Sequence, residues 1–212
     1  MVRIQVPQQS SARFERPRRL IKSNWSSFMK IIAICGSPRK NGNTEIMLKE
    51  VLKGAQTKGA KTELIQLTGK NIKYCLGHDD CGYPCKIKDD MDEIHNKMIG
   101  ADIIILGSPV YYCNVSGLLK NFMDRCTCLT KGLKLKNKIG AAVTVSGFFA
   151  GNAEAEYHIW DFLNWQGIML PGRCTAEGYA EKKGEILRKK DNLKSARELG
   201  ERLVNFYKEY KI

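Results

Sequence analysis

Two kinds of hydrophobic pattern alternate along the chain. Ile31-Ile32-Ala33-Ile34-Cys35 and Ile103-Ile104-Ile105-Leu106 are unbroken apolar runs, as strands buried on both faces are. Thr62–Leu67 and Ile139–Val145 add two more strands. Between these runs the apolar residues follow a 3.6-residue period. Met47, Leu48, Val51, Leu52 and Ala55 predict a first helix, with Asn43-Thr44 as its cap and Gly59 as its end. Met91, Ile94 and Met98 predict a second, opened by Asp89-Asp90. Leu118, Leu119, Phe122, Met123 and Cys126 predict a third, and Ala153–Trp165 a fourth. Ile168–Leu170 with Cys174-Thr175 predicts a short last strand broken by Pro171-Gly172, and residues 190–209 a closing amphipathic helix.

Strands alternating with helices predict an α/β domain over residues 29–212: a doubly wound, five-stranded parallel sheet with helices on both faces. Gly36-Ser37-Pro38 and Gly107-Ser108-Pro109 are expected to stop the first and third strands, and Ser146-Gly147 the fourth. Ligands of such sheets bind beyond the carboxyl ends of the strands, where the strand order reverses.

Composition leaves this picture intact. Of 212 residues, 43% are hydrophobic and 27% charged, which excludes a collagen, an acidic disordered chain and a disulfide mini-protein. No run approaches the roughly 18 apolar residues of a membrane span. The net charge is +13. Nearly half of it comes from Arg3, Arg13, Arg16, Arg18, Arg19, Lys22 and Lys30 against the single acid Glu15. Residues 1–28 have no apolar core of a secretory signal and are set aside as a basic extension, native or vector-derived. The body is moderately basic, which suits a phosphate-bearing ligand or an acidic partner and equally suits mere solubility. It lacks a basic stripe interleaved with aromatics, so nucleic acid is not an expected partner. Eight cysteines without a secretion signal point to a reducing, cytoplasmic setting and to free thiols.

The first strand runs into Gly36-Ser37-Pro38-Arg39-Lys40-Asn41-Gly42-Asn43-Thr44 and then a helix. Small and hydroxyl residues, inward backbone N–H groups and a helix N-terminus are what a phosphate requires. Five residues separate Gly36 from Gly42 and Asn43 follows, so this is not a Walker A loop, nor is it G-x-G-x-x-G. The segment resembles the FMN phosphate loop of the flavodoxin-like NADPH-dependent FMN reductases, with the iron–sulfur flavoproteins as the nearest subgroup. The resemblance spans residues 30–210.

After the third strand come Pro109, Val110, Tyr111, Tyr112, Cys113 and Asn114, then Ser116-Gly117-Leu118-Leu119-Lys120 and Asp124-Arg125. Alone, the two tyrosines read as core residues at a strand end. With the first loop, they read as a wall for a flat ring. The block is similar to the family's G-S-P-x-Y…S…L-K-x-F-x-D-R pattern, in which Lys120, Asp124 and Arg125 are expected to form structural helix charge pairs. Ser146-Gly147 and the residues to Asn152 resemble a third flavin contact.

Residues 75–85 read CLGHDDCGYPC. The subgroup carries a compact four-cysteine cluster motif before a similar Asp-Asp-Met helix start, but here His78 stands where the second cysteine would be. Three readings stay open. In order of preference they are a loop without a cluster, a [4Fe-4S] cluster on Cys75, His78, Cys81 and Cys85, and zinc on the same four. His95 and His158 fall in helical patterns and read as packing or surface residues.

The resemblance implies an FMN-dependent oxidoreductase. It would accept hydride from NAD(P)H and pass electrons to a quinone, another small acceptor or a redox protein, as a homodimer or homotetramer. On this reading Gly36, Ser37, Pro38, Arg39, Asn41, Gly42, Asn43 and Thr44 hold the phosphate. Pro109, Val110, Tyr111, Tyr112, Asn114, Ser146 and Gly147 frame the ring. No side chain acts as acid, base or nucleophile, because the chemistry belongs to the cofactor. The alternative is an iron–sulfur flavoprotein that carries electrons for a ferredoxin-like partner without using NAD(P)H.

Overall fold

A computed structural model describes residues 29–148 and 150–210, so the extension 1–28 and Phe149 lie outside the described residues. The chain forms strands β1 (Lys30–Cys35), β2 (Lys61–Gln66), β3 (Ile103–Tyr111), β4 (Asn114–Val115), β5 (Ile139–Ser146) and β6 (Thr175–Tyr179). The helices are α1 (Asn43–Thr57), α2 (Met91–Ile99), α3 (Gly117–Arg125), α4 (Thr127–Thr130), α5 (Asn152–Trp165) and α6 (Lys190–Tyr210). The main sheet is parallel in the order β2-β1-β3-β5-β6, and β4 pairs antiparallel with β3 alone. The expected α/β doubly wound architecture is present, with the two-residue β4 as a sixth strand.

The apolar runs are buried on both faces, as their lack of alternation predicts. Ile32, Ile34, Ile104 and Leu106 point into a core roofed by α2, α3 and α5. Ile31, Ala33, Cys35, Ile103 and Ile105 point into the opposite core, under α1 and α6. Each fully buried Ile or Leu contributes roughly 1.5–3 kcal/mol. The helices α1 and α6 cross almost backbone to backbone. A Cβ added to Gly200 would stand 1.9 Å from the Val51 carbonyl oxygen, and one added to Gly54 would stand 2.0 Å from that of Arg197.

Three local expectations are corrected. Gly107-Ser108-Pro109 does not stop the third strand. Residues to Pro109 keep parallel register with β5, because Ser108 buries its hydroxyl and Gly107 admits Leu48 where a Cβ would sit 2.6 Å away. The last strand lies at 175–179 rather than from Ile168. Only a single bridge, Ile139 to Met169, marks the earlier segment. Asn43 and Thr44 do not cap α1. Gly42 is the residue before the first turn, and no side chain bonds the helix end there.

Candidate cofactor-binding rim

The strand order reverses at β1, which lies between β2 and β3, so the β1 and β3 carboxyl ends open a crevice. Two serines clamp its floor. The Ser116 hydroxyl donates to the Gly36 carbonyl at 2.6 Å and accepts from the Leu119 N–H at 3.1 Å, capping α3. The Ser116 N–H donates to the Ser108 hydroxyl at 2.9 Å, and the Gly36 N–H donates to the Gly107 carbonyl at 2.7 Å. A Cβ on Gly36 would fall 2.6 Å from Leu119 Cβ, so only glycine lets the loop leave the sheet here.

From there the loop folds back on itself. The Arg39 N–H donates to the Ser37 hydroxyl at 3.2 Å and the Gly42 N–H to the Arg39 carbonyl at 3.1 Å. Asn41 adopts a left-handed conformation with φ of 53°, tolerable for asparagine. Its N–H donates to the Glu45 carboxylate at 2.5 Å, and Lys49 pairs with Glu45 at 2.6 Å. Burial pushes the Glu45 carboxyl up, but Lys49 and the Asn41 N–H outweigh it and hold it below the usual carboxylate range. Asn43 takes a different part from the expected one. Its amide donates to the Ala180 carbonyl at 3.3 Å and the Lys182 carbonyl at 2.9 Å, tying α1 to the segment after β6. Thr44 and Ser37 are buried, while Pro38 and Arg39 are exposed. The first N–H groups of the 15-residue α1 have no acceptor within the helix, and no side chain caps them.

The opposite wall is a hairpin. Val110 pairs with Val115 and Tyr111 with Asn114. The two residues between, Tyr112 and Cys113, both have positive φ, 51° and 55°. This is the type I′ geometry that Asn-Gly adopts without strain and that a tyrosine and a cysteine adopt only at a cost. Tyr112 is entirely solvent-exposed at the tip. Gly151, with φ of 92°, lets the loop after β5 press against this hairpin, since a Cβ there would lie 2.8 Å from Val110 Cγ1. Asn114 contacts His158 of α5 at 3.2 Å. The Ser146 hydroxyl donates to the Phe148 carbonyl, leaving the Phe148 ring exposed. Loop 36–44, the β3–β4 hairpin and the turn at Gly151 thus meet along one edge, while Asn43 turns its side chain away to the β6 side.

Residues 29–181 match the family described as NADPH-dependent FMN reductase. An iron–sulfur flavoprotein of Methanocaldococcus jannaschii is 37% identical over 85% of this chain and 98% of its own length. The chain belongs to the NADPH-dependent FMN reductase family. As a member it is a flavin oxidoreductase with FMN as its cofactor. An iron–sulfur flavoprotein of Archaeoglobus fulgidus is 34% identical over 84% of this chain and 80% of its own. Among solved structures, a WrbA-like flavodoxin from Agrobacterium tumefaciens shares the fold, with a TM-score of 0.63 at 18% identity, over 86% of this chain and 99% of its own.

In this family member the cysteine loop hangs from one residue that the sequence reading assigned to a helix charge pair. Lys120 does pair with Asp124, at 2.6 Å. Arg125 turns inward instead and is fully buried. It donates to both Asp89 oxygens, to the Lys73 carbonyl at 2.8 Å, to the Ile87 carbonyl at 3.3 Å and to Cys85 Sγ at 3.7 Å. Position 125 falls on the apolar face with Phe122 and Leu118, and a charge on an apolar face is the signal that a buried partner exists. Cys75 and Cys81 are half-buried and Cys85 is buried. In the same loop Asp80 pairs with Lys86, whose hydrogen bond and charge lower the Asp80 carboxyl. Among the described residues, no three His, Cys, Asp or Glu stand in the arrangement that holds a single metal ion. His95 and Cys128, which the sequence reading did not connect to this loop, close its floor: Cys128 Sγ lies 3.8 Å from His95 Nδ1. Burial, then the nearby Arg125 charge, lowers His95 to about 4, so its ring is neutral. Burial, then Cys85 and Cys81, pushes the Cys128 thiol up to about 12.

Proposed function

We propose that this family member draws electrons from a reduced nicotinamide, NADPH or NADH, and delivers them to a quinone, another small acceptor or a redox protein. FMN, when bound, supplies the chemistry of accepting hydride and releasing electrons. The chain's own part is binding, orientation and exclusion of water. The N–H groups of loop 36–44 and of the first turn of α1, with the Ser37 and Thr44 hydroxyls, hold the phosphate, and Arg39 adds positive charge from the exposed side. The collision that a Cβ on Gly42 would make with the Arg39 carbonyl, at 2.8 Å, supports a cradle kept open for such a group. Pro109, Val110, Tyr111, Tyr112, Asn114, Ser146 and Gly147 frame the ring.

The observation that carries this reading is the β1–loop–α1 turn at the point where the strand order reverses. Titrating flavin-free protein with FMN and following the flavin fluorescence tests the cofactor. Stopped-flow oxidation of NADPH and NADH by the loaded protein, with a quinone present, tests the donor. Bleaching of the flavin absorbance by neither nicotinamide would overturn the donor assignment. Exposed Tyr111, Tyr112, Phe148 and Tyr157 along the rim favour a homodimer or homotetramer in solution, to be checked by light scattering.

The thiols of the cysteine loop favour a second reading, a carrier of electrons for a ferredoxin-like partner. Flavin reduction by reduced ferredoxin but by neither nicotinamide distinguishes it.

A further inference from the structure

At the amino end of β6, across the sheet from the cofactor rim, lies a cavity of about 230 Å³ between the turn before β6 and one face of α6. Pro171, Leu199, Leu203 and Phe206 supply its apolar wall, and Arg173 and Arg202 bring two cations to it. The five residues of β6, roughly 17 Å of extended chain, separate this edge from the rim at Ser146 and Tyr179. The Arg202 guanidinium is held in place: its Nη2 donates to the Arg173 carbonyl at 3.2 Å, which ties α6 to the turn. Its charge is nevertheless poorly matched. Nε is buried without an acceptor, and the carboxylate it pairs with, that of the half-exposed Glu198, stands 3.9 Å from Nη1. An exposed pair at that distance contributes little. Among the described residues, the Arg173 side chain has no hydrogen bond or ion pair. Its backbone is left-handed, with φ of 58°, next to a Gly172 that has open space around an added Cβ. Backbone strain of this kind concentrates at ligand clamps and other functional positions.

We infer that this cavity is a second binding site, separate from the flavin, for a small apolar molecule bearing one carboxylate. Charge sets the sign and the number. Two guanidinium groups against the single lining carboxylate of Glu209 leave one positive charge to be balanced. A planar carboxylate matches the guanidinium fork, and Arg202 loses little freedom on binding because the Arg173 carbonyl already holds it. Size sets the body. A cavity of roughly 150 Å³ holds a benzene ring. About 230 Å³ therefore admits a ring with its carboxylate, and falls short of the roughly 300 Å³ at which sites for larger ligands begin. Leu199, Leu203 and Phe206 recur at helical spacing and give α6 an apolar face for that ring. A benzoate-sized aromatic acid meets each of these conditions.

The test is a fluorine magnetic resonance titration of the full-length protein, with FMN added, using para-fluorobenzoate as the probe. A saturable shift or broadening of the fluorine line is expected. The amide para-fluorobenzamide has the same shape and no charge, and should bind at least about tenfold more weakly. Arg202→Met keeps the stem and removes the charge, and should weaken para-fluorobenzoate by about tenfold or more. Arg173→Gly removes the second charge and suits the left-handed backbone, so it should weaken the probe while leaving thermal stability equal or higher. FMN affinity should be the same with and without the probe. No saturable change in the parent well above millimolar probe would overturn the assignment. So would equal affinity for the amide, parental affinity in Arg202→Met with native circular dichroism, or displacement of the probe by FMN, which would place it at the rim. A saturable probe in protein that takes up no FMN would instead sink the flavin reading and leave this site standing.

Discussion

Arg125 and Asp89 form an ion pair from which water is wholly excluded, neither side chain having any exposed surface. Asp89 also accepts from the Lys73 N–H at 2.9 Å and the Met91 N–H at 3.0 Å. One carboxylate and one guanidinium therefore close the base of a loop that has little regular structure of its own. Burial alone would raise the Asp89 carboxyl, but Arg125 and the two N–H groups together hold it below the usual range. Removing one partner strands a buried charge, which costs roughly 3–5 kcal/mol. Arg125→Met is expected to lower the urea midpoint by an amount of that order, and Arg125→Lys to recover little of it, since an ammonium cannot reproduce the fork. Because the folded carboxyl sits below its unfolded value of about 3.9, its contribution is complete above that pH and fades as pH falls further. A parent and Arg125→Met difference that stays constant from pH 6 down to pH 2 would contradict this.

Gly200 and Val51 carry the crossing of α6 over α1. A Cβ 1.9 Å from the Val51 oxygen has no rotamer to escape into, so the helices must part. Gly200→Ala should cost at least about 1–3 kcal/mol, the range for overpacking, despite alanine's better helix propensity. Thermal unfolding of Gly200→Ala, beside Gly59→Ala at the exposed end of α1, separates the two effects. Gly59 has open space around its added Cβ and suffers only from its φ of 87°, so the smaller loss is expected there. The reverse order would show that the helices have room to spare.

The sheet, its direction and the rim loops were legible because apolar runs without alternation mean strands buried on both faces, and a parallel sheet places its ligands at one edge. The phosphate loop was legible from its composition. The partners of its residues were not. Asn43 reads as a cap from local sequence, yet its amide is claimed by Ala180 and Lys182, more than a hundred residues on. Arg125 reads as a neighbour of Asp124 until the loop folds Asp89 over it. Cys128 carries no spacing motif, and its place beneath Cys85 depends on how α3 runs into α4. Local chemistry follows from adjacent residues, while contacts between distant segments follow only from packing.

The hairpin tip offers a separable test of strain and function. Tyr112 and Cys113 hold left-handed backbone that Asn-Gly would adopt freely. Tyr112→Asn with Cys113→Gly should raise stability by at least about 1–3 kcal/mol, since each such residue stores strain of that order. If the exposed Tyr112 covers the ring, the same protein binds FMN more weakly while unfolding at higher urea. Equal FMN affinity in the two proteins would remove Tyr112 from the site.

Glu156 gives the clearest dependence on pH. It is buried on α5, accepts from the Thr144 hydroxyl at 3.1 Å and lies near Glu177, which in turn accepts from Tyr179 at 2.6 Å. Burial, then the Glu177 charge, raises its carboxyl to about 7. The unfolded chain releases that proton near pH 4.3, so the folded state holds more protons between the two values and stability falls as pH rises through the window. The loss is complete above about pH 7 and amounts to the order of 3–4 kcal/mol. Glu156→Gln keeps the shape and removes the titration. It should match the parent near pH 4 and exceed it near pH 8. Urea midpoints of both proteins at pH 4.5, 6 and 8 decide the matter, and parallel profiles would mean that Glu156 stays ionised in the folded protein.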